Sequence, residues 1–402
     1  MSAGQSRSGA LSGVRIIDLT TFLSGPFCTQ MLADLGADVI KVENPAGDSS
    51  RTVPPHFVGD DSAYFLSTNR NKRSIAVDMK SPHGVDVVRR LIASADVVVE
   101  NFRPGVCARL GIDPEEIRAG QPQLVWASIT GFGHEGAWRD RGAYDLIVQA
   151  ASGVMSLTGE PGGPPVRLGI PAGDLVAGLY AAVGIGAALH DRSRTGLGRM
   201  VDVAMFDSQL AMLSYQSAYA LIAGVTPPPQ GSAHDSIPTY RTFRAGDGRV
   251  VAITANTDGM WRNACVVLGI PELTEDPRFV DAGSRLENRH ELWVLWEAAF
   301  ATRPAQEWVD LMTAKGVPAA TIRTVPEALE ESEAAGREMI VDLDNGDHSI
   351  RVVGNPMRMS GAPGGAHSYP PGLGDDTDQI LRDEIGLGDD DIAKLRAENI
   401  VL

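Results

Sequence analysis

The chain has 402 residues, of which 43% are hydrophobic and 21% are charged, and its formal net charge at pH 7 is −16. Single cores rarely grow beyond about 250–300 residues, so this length predicts two domains. The acidic balance argues against a surface for nucleic acid or an anionic membrane, yet a local basic cluster could still bind a phosphate-bearing small ligand. Three widely spaced cysteines without metal-ligand spacing indicate reduced thiols and predict no metal site.

The start of the chain and its apolar segments predict the compartment. Residues 1–10 are small and polar, which predicts a disordered tail without a signal peptide. We expect no apolar run long enough to span a membrane. The sequence therefore predicts a cytoplasmic protein whose partners include neither a membrane nor nucleic acid.

The first part of the chain alternates strands and helices, as judged from β-branched runs, helical spacing and Gly or Pro turns. The predicted strands are 14–19, 38–43, 74–79, 96–100 and 124–129, and the predicted helices are 27–35, 81–94, 105–110 and 113–119. Residues 44–68 form a long polar loop, and such loops are usually functional or disordered. The alternation predicts an α/β domain with a mostly parallel sheet covered by helices.

The pattern of predicted helices and strands changes in the second part of the chain. The predicted elements are helices at 143–154, 174–191 and 206–221 around a strand at 199–205, then a hairpin within 239–253, helices near 260–268, 290–301 and 305–315, strands at 341–343 and 349–353, and a helix at 375–385. Three consecutive prolines at 227–229 mark a boundary. The predicted organisation is a tail at 1–10, a large Rossmann-like domain at 11–200, a linker helix at 201–225, a small α+β domain at 226–325 and a return to the large domain at 326–402.

Asp174 stands at the start of an otherwise apolar helix. An aspartate in that place can be an N-cap that accepts a backbone N–H of the first turn, and this is the more frequent role. It can also be a nucleophile, held where the helix N-terminus keeps a carboxylate ionised. This stretch alone leaves both alternatives open.

A basic cluster occupies residues 69–73, and Lys80 follows it. Its charges could belong to a solvated loop or to partners of nearby carboxylates. Alternatively they could bind phosphate, because Arg and Lys donors suit phosphate oxygens.

Residues 131–136 match the G-x-G-x-x-G pattern after a predicted strand. The helix that a dinucleotide site requires does not begin there, so we interpret these glycines as allowing close approach of another ligand. The eight histidines are scattered without a metal pair, and no G-x-S-x-G elbow or Walker loop is present. Metal hydrolysis and serine-hydrolase chemistry are therefore disfavoured.

Taken together, the ordered segments resemble the class III coenzyme A transferase family, which includes formyl-CoA transferase and carnitine CoA-transferase within a superfamily that also contains α-methylacyl-CoA racemase. The matching segments are 24–26, 35–43, 69–75, 77–80, 100–105, 131–133, 173–174, 196–199 and 373–377. The resemblance covers nearly the whole chain. It implies a Rossmann-like domain made from both chain ends, a small middle domain and an interlocked homodimer.

The resemblance also implies a mechanism. The aspartate that matches Asp174 is the family's nucleophile, which attacks an acyl-CoA thioester to give a mixed anhydride and then an aspartyl-CoA thioester. CoA finally moves to an acceptor carboxylate. Coenzyme A enters as the acyl-CoA substrate, and no metal or redox cofactor is implied.

The same resemblance implies CoA contacts at individual positions of this chain. The expected CoA-binding residues are Phe22, Leu23 and Ser24 at an entry turn, Val77, Asp78, Met79 and Lys80 near the adenosine, Asn101, Phe102, Arg103 and Arg109 along the phosphates and pantetheine, Thr130, Gly131, Phe132 and Gly133 at the reacting end, and Asn44 and Arg73. Three positions depart from the formyl-CoA member. Leu23 stands in place of a Gln, Asn44 in place of an Arg, and the glycine loop over the active site is shortened to the region around Gly231.

Two rival functions remain. A racemase would need a His before Asp145 and a Glu near Asn256, but Tyr144 occupies the first position, and an ordinary tyrosine is a poor base at neutral pH. The other rival is a non-catalytic CoA-binding protein in which Asp174 is only a cap. The expected substrate contacts are Tyr144, Arg167 and Gly231. Arg167, with Arg139 and Arg141, could anchor a second carboxylate and so favour a dicarboxylate such as succinate as donor.

Overall fold

The computed structural model describes residues 9–360 and 367–402. The strands are β1 (Arg15–Asp18), β2 (Asp38–Glu43), β3 (Phe57–Val58), β4 (Asp61–Ser62), β5 (Lys72–Ala76), β6 (Val97–Glu100), β7 (Val125–Thr130), β8 (Met200–Ala204), β9 (Arg241–Arg244), β10 (Val250–Ile253), β11 (Ala319–Thr321), β12 (Ile340–Asp344) and β13 (Ser349–Val353). The predicted disordered tail lies mostly outside the described residues.

The helices follow from the same alternation of apolar faces. They are α1 (Ser24–Asp34), α2 (Ala63–Leu66), α3 (Pro82–Ala93), α4 (Val106–Arg109), α5 (Pro114–Gly120), α6 (Asp145–Ala151), α7 (Val154–Leu157), α8 (Ala172–Thr195), α9 (Met205–Met212), α10 (Tyr215–Ala223), α11 (Asp258–Leu268), α12 (Ala282–Glu287), α13 (Arg289–Phe300), α14 (Ala305–Ala314), α15 (Val325–Ala334), α16 (Thr377–Asp383) and α17 (Asp389–Ala397). Short 3-10 turns occupy Ser49–Thr52 and Pro271–Thr274.

The chain divides into two compact units. The large unit comprises Met1–Val154, Arg167–Val225 and Arg337–Leu402, and the small unit comprises Met155–Val166 and Thr226–Gly336. The change at residue 226 coincides with the predicted domain boundary, whereas the return falls at 337 instead of 326. The segment predicted as a linker helix, 201–225, is part of the large unit.

The large unit is built on a parallel sheet of six strands within the described residues, in the order β5-β2-β1-β6-β7-β8. The chain first builds outward from β1 through β2 to β5, then returns to the other side of β1 with β6. The strand order therefore reverses between β1 and β6. In open parallel sheets, ligands bind at the carboxyl ends of the strands at such a reversal.

Alternate residues of each strand enter two separate cores. Ile17 and Val98 face a cluster with α3, α16 and α17, while Ile16 and Val97 face a cluster with α1 and α8. All four side chains are fully buried. This two-sided burial explains why the strands read as continuous β-branched runs.

Helix α8 packs unusually close to α1. An ideal Cβ on Gly178 would lie 2.6 Å from the carbonyl oxygen of Ser24, so only glycine permits this approach. Because α8 is 24 residues long with a mean hydropathy of 1.6 in its most apolar window, it could cross a membrane by length and composition, contrary to expectation. In this fold one face of it packs against α1, β7, β8 and α9, and 39% of that apolar window is buried.

The single long helix predicted at 206–221 is wrong in one respect, because two helices, α9 and α10, occupy this part of the chain. They are separated at Ser214, whose φ of +52° is incompatible with a continuous right-handed helix. The apolar composition of the segment carries no signal for this break.

The small unit contains an antiparallel sheet in the order β11-β10-β9. Its core is aromatic. Trp261 and Trp296 stack with ring centroids 5.6 Å apart, and Phe243 stacks on Phe300 at 4.7 Å. The hairpin β9–β10 lies within the predicted range 239–253.

Candidate active site

A cleft of about 230 Å³ opens where the strand order of the large unit reverses, at the carboxyl ends of β1, β6 and β7. It is lined by residues that follow these strands and by the start of α8. They are Thr21, Phe22, Ser24, Asn101, Phe102, Arg103, Pro104, Ile129, Thr130, Gly131, Arg139, Arg141, Ala143, Tyr144, Asp174 and Met205. The fold thus brings together the entry turn, the segment after β6, the glycines after β7 and Asp174.

Asp174 is not the N-cap of α8. The cap position is Pro171, and Asp174 is the third residue of the first helical turn. The capping role belongs to Asp145, the first residue of α6, whose Oδ1 accepts the free N–H of Gly173 at 2.8 Å. The capping alternative raised by the sequence is therefore wrong for Asp174.

Burial, and next the negative charge of the neighbouring Asp145, raise the pKa of Asp174 to about 7, against the lowering effect of a hydrogen bond from Ser24. The sequence predicted that the helix N-terminus would keep this carboxylate ionised. Desolvation and a like charge outweigh that effect here. A buried carboxyl in a cleft with a strongly perturbed pKa is typical of a functional group.

Asp145 and Gln149 fix the loop that precedes Asp174. The Nε2 of Gln149 donates to Asp145 Oδ2 at 2.7 Å, and its Oε1 accepts from the backbone N–H of Leu168 at 2.9 Å. An ideal Cβ on Gly173 would lie 3.0 Å from both Asp145 Oδ1 and Gln209 Nε2. A Cβ before Asp174 would therefore crowd these two polar groups, which gives the Gly-Asp pair a physical reason.

Tyr64, on α2, interacts electrostatically with Asp174 and was missed by the sequence analysis, although it is not among the residues that line the cleft. Its pKa is raised to about 12. Burial is the main cause, and the negative charges of Asp174, Asp145 and Asp48 add to it. Its phenol therefore stays neutral beside these carboxylates and can donate a hydrogen bond. The available signal was its place in the polar loop 44–68, which was expected to be functional but offered no way to choose a residue.

The segment after β6 shapes the opposite wall. Glu100 is buried, and its Oε2 accepts the N–H of Phe102 at 2.8 Å while Ser128 donates to Oε1. Burial raises the pKa of Glu100. This buried carboxyl fixes the turn that carries Asn101 and Arg103 into the cleft.

Gly131 is the glycine on which the cleft depends most. An ideal Cβ on it would lie 2.2 Å from the Cβ of Ala143, so the end of β7 meets the loop before Tyr144 only if residue 131 is glycine. Phe132 does not line the cleft, because its ring packs against Trp138 and Phe206. Gly133 adopts φ +84° and its N–H donates to Thr130 Oγ1 at 2.9 Å.

Other predicted CoA contacts lie outside this cleft. Leu23 is buried at 7% exposure, and Val77 is buried in a bridge to Val401. The remaining positions outside the cleft are Asn44, Asp78, Met79, Lys80 and Arg109. Asp78, Met79 and Lys80 follow β5 at the carboxyl edge of the sheet, where Asp78 N–H donates to Ile400 O at 2.8 Å.

Two of the predicted substrate contacts are also outside the cleft. Arg167 is exposed, and its Nη1 donates to the carbonyl of Leu168 at 3.1 Å. Gly231 belongs to the small unit, where an ideal Cβ on it would lie 2.5 Å from a carboxylate oxygen of Glu160. Of the predicted substrate contacts, the cleft includes Tyr144.

The basic cluster at 69–73 is explained by ion pairs within the fold. Arg70 pairs with Asp34 at 2.6 Å, Lys72 with Asp18 at 3.0 Å, and Arg73 with Asp38 at 2.7 Å and Glu384 at 2.8 Å. These contacts favour the alternative in which nearby carboxylates are the partners. Arg73 is engaged by two carboxylates and is not a member of the cleft.

Comparison with known proteins agrees with this geometry. The model for CoA-transferase family III matches residues 11–377. A succinyl-CoA:glutarate CoA-transferase of Mus musculus is 38% identical over 97% of this chain and 90% of its own length. An acetyl-CoA:oxalate CoA-transferase of Acetobacter aceti is 40% identical over 88% of this chain and 90% of its own length.

A solved structure shares the fold. The crystal structure of a CaiB/BaiF family protein from Brucella suis superposes with a TM-score of 0.84 at 37% identity, covering 94% of this chain and 100% of that chain. The chain therefore belongs to CoA-transferase family III, as its motifs indicated, and it is a CoA-transferase. Enzymes of this family use CoA thioesters as substrates and transfer CoA to carboxylates.

Proposed function

We propose that this enzyme transfers CoA from an acyl-CoA donor to a free carboxylic acid through covalent intermediates on Asp174. The observation that carries the proposal is the position of this carboxyl group: it lines the cleft at the strand-order reversal, half-buried beside Ser24. A pKa raised to about 7 leaves the group partly ionised at neutral pH and makes its carboxylate more basic than an exposed one.

In the proposed reaction, a carboxylate oxygen of Asp174 attacks the thioester carbonyl carbon of the donor. The C–S bond breaks, CoA leaves as a thiolate, and a mixed anhydride remains. The thiolate then attacks the side-chain carbonyl carbon of Asp174 and expels the donor acid as a carboxylate, which leaves an aspartyl-CoA thioester. No net proton transfer is needed in this half of the reaction.

The second half repeats these steps with the acceptor. The acceptor carboxylate attacks the aspartyl carbonyl carbon and expels CoA thiolate, forming a second anhydride. The thiolate attacks the acceptor acyl carbon, which releases acceptor-CoA and regenerates the Asp174 carboxylate. Each tetrahedral intermediate develops an oxyanion, for which Tyr64 and backbone N–H groups near Gly131 are the donors we propose.

We further propose that donor and acceptor are dicarboxylic acids. Three guanidinium groups, those of Arg103, Arg139 and Arg141, line the same cleft as Asp174. A second carboxylate on the substrate would find bidentate partners there. Arg167, which the sequence suggested as an anchor, does not line this cleft. The name of the mouse relative, with succinyl-CoA and glutarate, supports the same substrate class.

The experiment is a transfer panel. Succinyl-CoA, acetyl-CoA and formyl-CoA are each incubated with succinate, glutarate, oxalate and acetate, and the CoA products are separated and quantified. The proposal predicts transfer that is fastest between succinyl-CoA and a dicarboxylate. Exchange of the α-proton with deuterated water without CoA transfer would instead support the racemase alternative.

We also propose that the enzyme works as a homodimer, with the interlocked arrangement that the family resemblance implies. Large apolar side chains are exposed along α8 and α10, including Val183 at 70%, Leu221 at 86% and Ile222 at 86%. Exposed apolar side chains in this number are typical of a helix surface that another protein covers. Light scattering of the purified enzyme tests this, since a mass of one chain at micromolar concentration would contradict it.

A further inference from the structure

The backbone before α1 adopts a conformation that its residue disfavours. Phe22 has φ +63°, in the left-handed region that residues with a Cβ seldom occupy. It belongs to residues 20–24, called the entry turn here, which join β1 to α1. A strained aromatic residue beside an active site persists only where its surroundings determine its conformation.

Side chains from three other segments bind the backbone of the entry turn. Asn101, after β6, accepts the N–H of Thr21 at 2.9 Å and donates to the carbonyl of Thr21 at 2.8 Å. Lys41, on β2, donates to the carbonyl of Thr20 at 2.8 Å, and Asp48 accepts the N–H of Phe22 at 3.2 Å. The turn is therefore fixed by groups distant in the sequence.

Two of these side chains, Lys41 and Asp48, belong to a buried ion network. Lys41 Nζ lies 2.9 Å from Asp48 Oδ2, and both side chains have no exposed surface. The same holds for Lys72 and Asp18 at 3.0 Å, and Asp18 Oδ1 accepts the N–H of Thr20 at 2.9 Å. Separating such a pair would leave a buried charge without its partner, which is strongly destabilising, so these pairs make a rigid support for the turn.

The support places the Phe22 ring in the wall of the cleft. The ring meets that of Tyr144 edge to face, with centroids 6.1 Å apart, and both residues line the cleft together with Asp174. Ser24, two residues after Phe22, donates a hydrogen bond to the Asp174 carboxyl. The two rings thus form an apolar wall, called the aromatic wall here, on the side of the cleft that holds the nucleophile.

We propose that Phe22 is a specificity-determining residue whose ring limits the length and branching of the acid that reacts at Asp174, and that Asn101 and Asp48 are positioning residues that hold it there. This inference rests on the proposed function, because it assumes that the acid binds beside Asp174. An acid with extra methylene groups or an α-branch would collide with the aromatic wall, whereas a short unbranched acid would lie along it.

The test compares kcat/KM for succinate, glutarate, adipate and a 2-methyl-branched diacid with one acyl-CoA donor. In Phe22→Ala, the ratio of kcat/KM for adipate to that for succinate rises about tenfold or more, mainly through a lower KM for adipate. Phe57→Ala is the matched control, because Phe57 is an exposed phenylalanine of the same unit outside the cleft and its removal leaves the ratio unchanged. Phe22→Leu keeps a larger side chain than Phe22→Ala and gives an intermediate ratio. It replaces Phe22→Ala in the test if the alanine variant does not fold.

The positioning role is tested with the same ratio. Asn101→Ala frees both backbone groups of Thr21, so it shifts the adipate-to-succinate ratio in the same direction as Phe22→Ala. Asp48→Asn keeps an acceptor oxygen for Phe22 N–H and restores most of the wild-type ratio lost in Asp48→Ala. Trp308→Phe, a core change in the small unit, lowers stability without moving the ratio.

An unchanged ratio in folded Phe22→Ala, with Asp174 still acylated by acyl-CoA, would overturn this inference and leave the proposed function standing. Absence of any Asp174 adduct in the wild-type enzyme would overturn the proposed function itself. A ratio that moves equally in Phe57→Ala or Trp308→Phe would show a general effect of destabilisation and would also contradict the inference.

Discussion

Two carboxylates of the large unit, the buried Asp18 and the half-buried Asp174, have opposite electrostatic environments. Asp18 lies beneath the entry turn, where burial alone would raise its pKa, yet Lys72 and Lys41 lower it to about 2. Asp174 is half-buried in the wall of the cleft, where burial and Asp145 raise its pKa to about 7. Within the described residues, neither Asp174 nor Asp145 forms an ion pair with a Lys or Arg.

The difference shows how one fold gives two aspartates opposite pKa shifts, one suited to a structural role and the other to the reactive role that we propose. A buried carboxylate with a cation at 3.0 Å, such as Asp18, stays ionised and fixes backbone groups. A half-buried carboxylate beside another carboxylate, such as Asp174, has a raised pKa, which suits the attack on a thioester that we propose for it. The charge of the neighbouring groups accounts for the opposite directions of the two pKa shifts.

The largest expected effect follows from removing the reactive carboxylate. Asp174→Asn removes the attacking oxygen but keeps the shape of the side chain, so CoA transfer falls by about 10³-fold or more. Steady-state rates with the best acid pair measure the loss. Asp86→Asn, an exposed carboxylate on α3, is the matched control and keeps at least half of the wild-type rate.

For the structural carboxylate, Asp18, we expect the effect on stability rather than on activity. Lys72→Met leaves Asp18 buried without its nearest cation and lowers the free energy of unfolding by about 3–5 kcal/mol, as denaturant titration would measure. Arg89→Met breaks an exposed pair with Glu116 and changes it by less than about 1 kcal/mol. Equal losses in the two variants would contradict the contrast between buried and exposed pairs.

Ionisation of Asp174 is predicted to lower the free energy of unfolding. Its pKa is about 7 in the folded chain against an ordinary value of 3.8, so the folded state binds more protons than the unfolded state between those values. Stability conferred by the protonated group is therefore complete below pH about 3.8 and is lost as pH rises to about 7, at up to about 1.4 kcal/mol per pH unit. Asp174→Asn removes this loss, so its stability advantage over wild type grows with pH and levels off above pH about 7.

The like charge of Asp145 accounts for part of the raised pKa. In wild type, kcat/KM for the acyl-CoA falls as pH drops below about 7, because protonated Asp174 cannot attack. Asp145→Asn removes the like charge but keeps an acceptor oxygen for Gly173 N–H, so the acidic limb moves down by about one pH unit. An unshifted limb would mean that burial alone sets the pKa.

The smallest expected effect concerns the strained backbone of the entry turn. Phe22→Ala and Phe22→Gly both remove the ring, but glycine accepts φ +63° without a Cβ conflict. Phe22→Gly is therefore more stable than Phe22→Ala by about 1 kcal/mol in chemical unfolding. A more stable alanine variant would show that the turn relaxes to another conformation.

Local patterns in the sequence predicted much of the large unit. The strand at 38–43 is β2 as predicted, and Ser81 caps α3 with its side chain accepting the N–H of His83. The alternation of β-branched runs and helices was sufficient to predict the parallel sheet. These features depend on residues close together in the chain, where spacing and capping carry the information.

Contacts between distant segments were harder to predict. The basic cluster was ambiguous because its partners, Asp18, Asp34, Asp38 and Glu384, come from different strands and helices. Tyr64 approaches Asp174 from a loop 110 residues earlier in the chain, and Asp145 takes the capping role by hydrogen-bonding to Gly173. No periodicity or local motif predicts these contacts between distant residues, because they form only when the sheet assembles.

Covalent trapping tests the role of Asp174 most directly. The enzyme is incubated with succinyl-CoA, quenched with hydroxylamine, digested and analysed by mass spectrometry. The account predicts a hydroxamate on Asp174 and on no other carboxylate, with none formed in Asp174→Asn. Full CoA-transfer activity in wild type without any modification of Asp174 would contradict it.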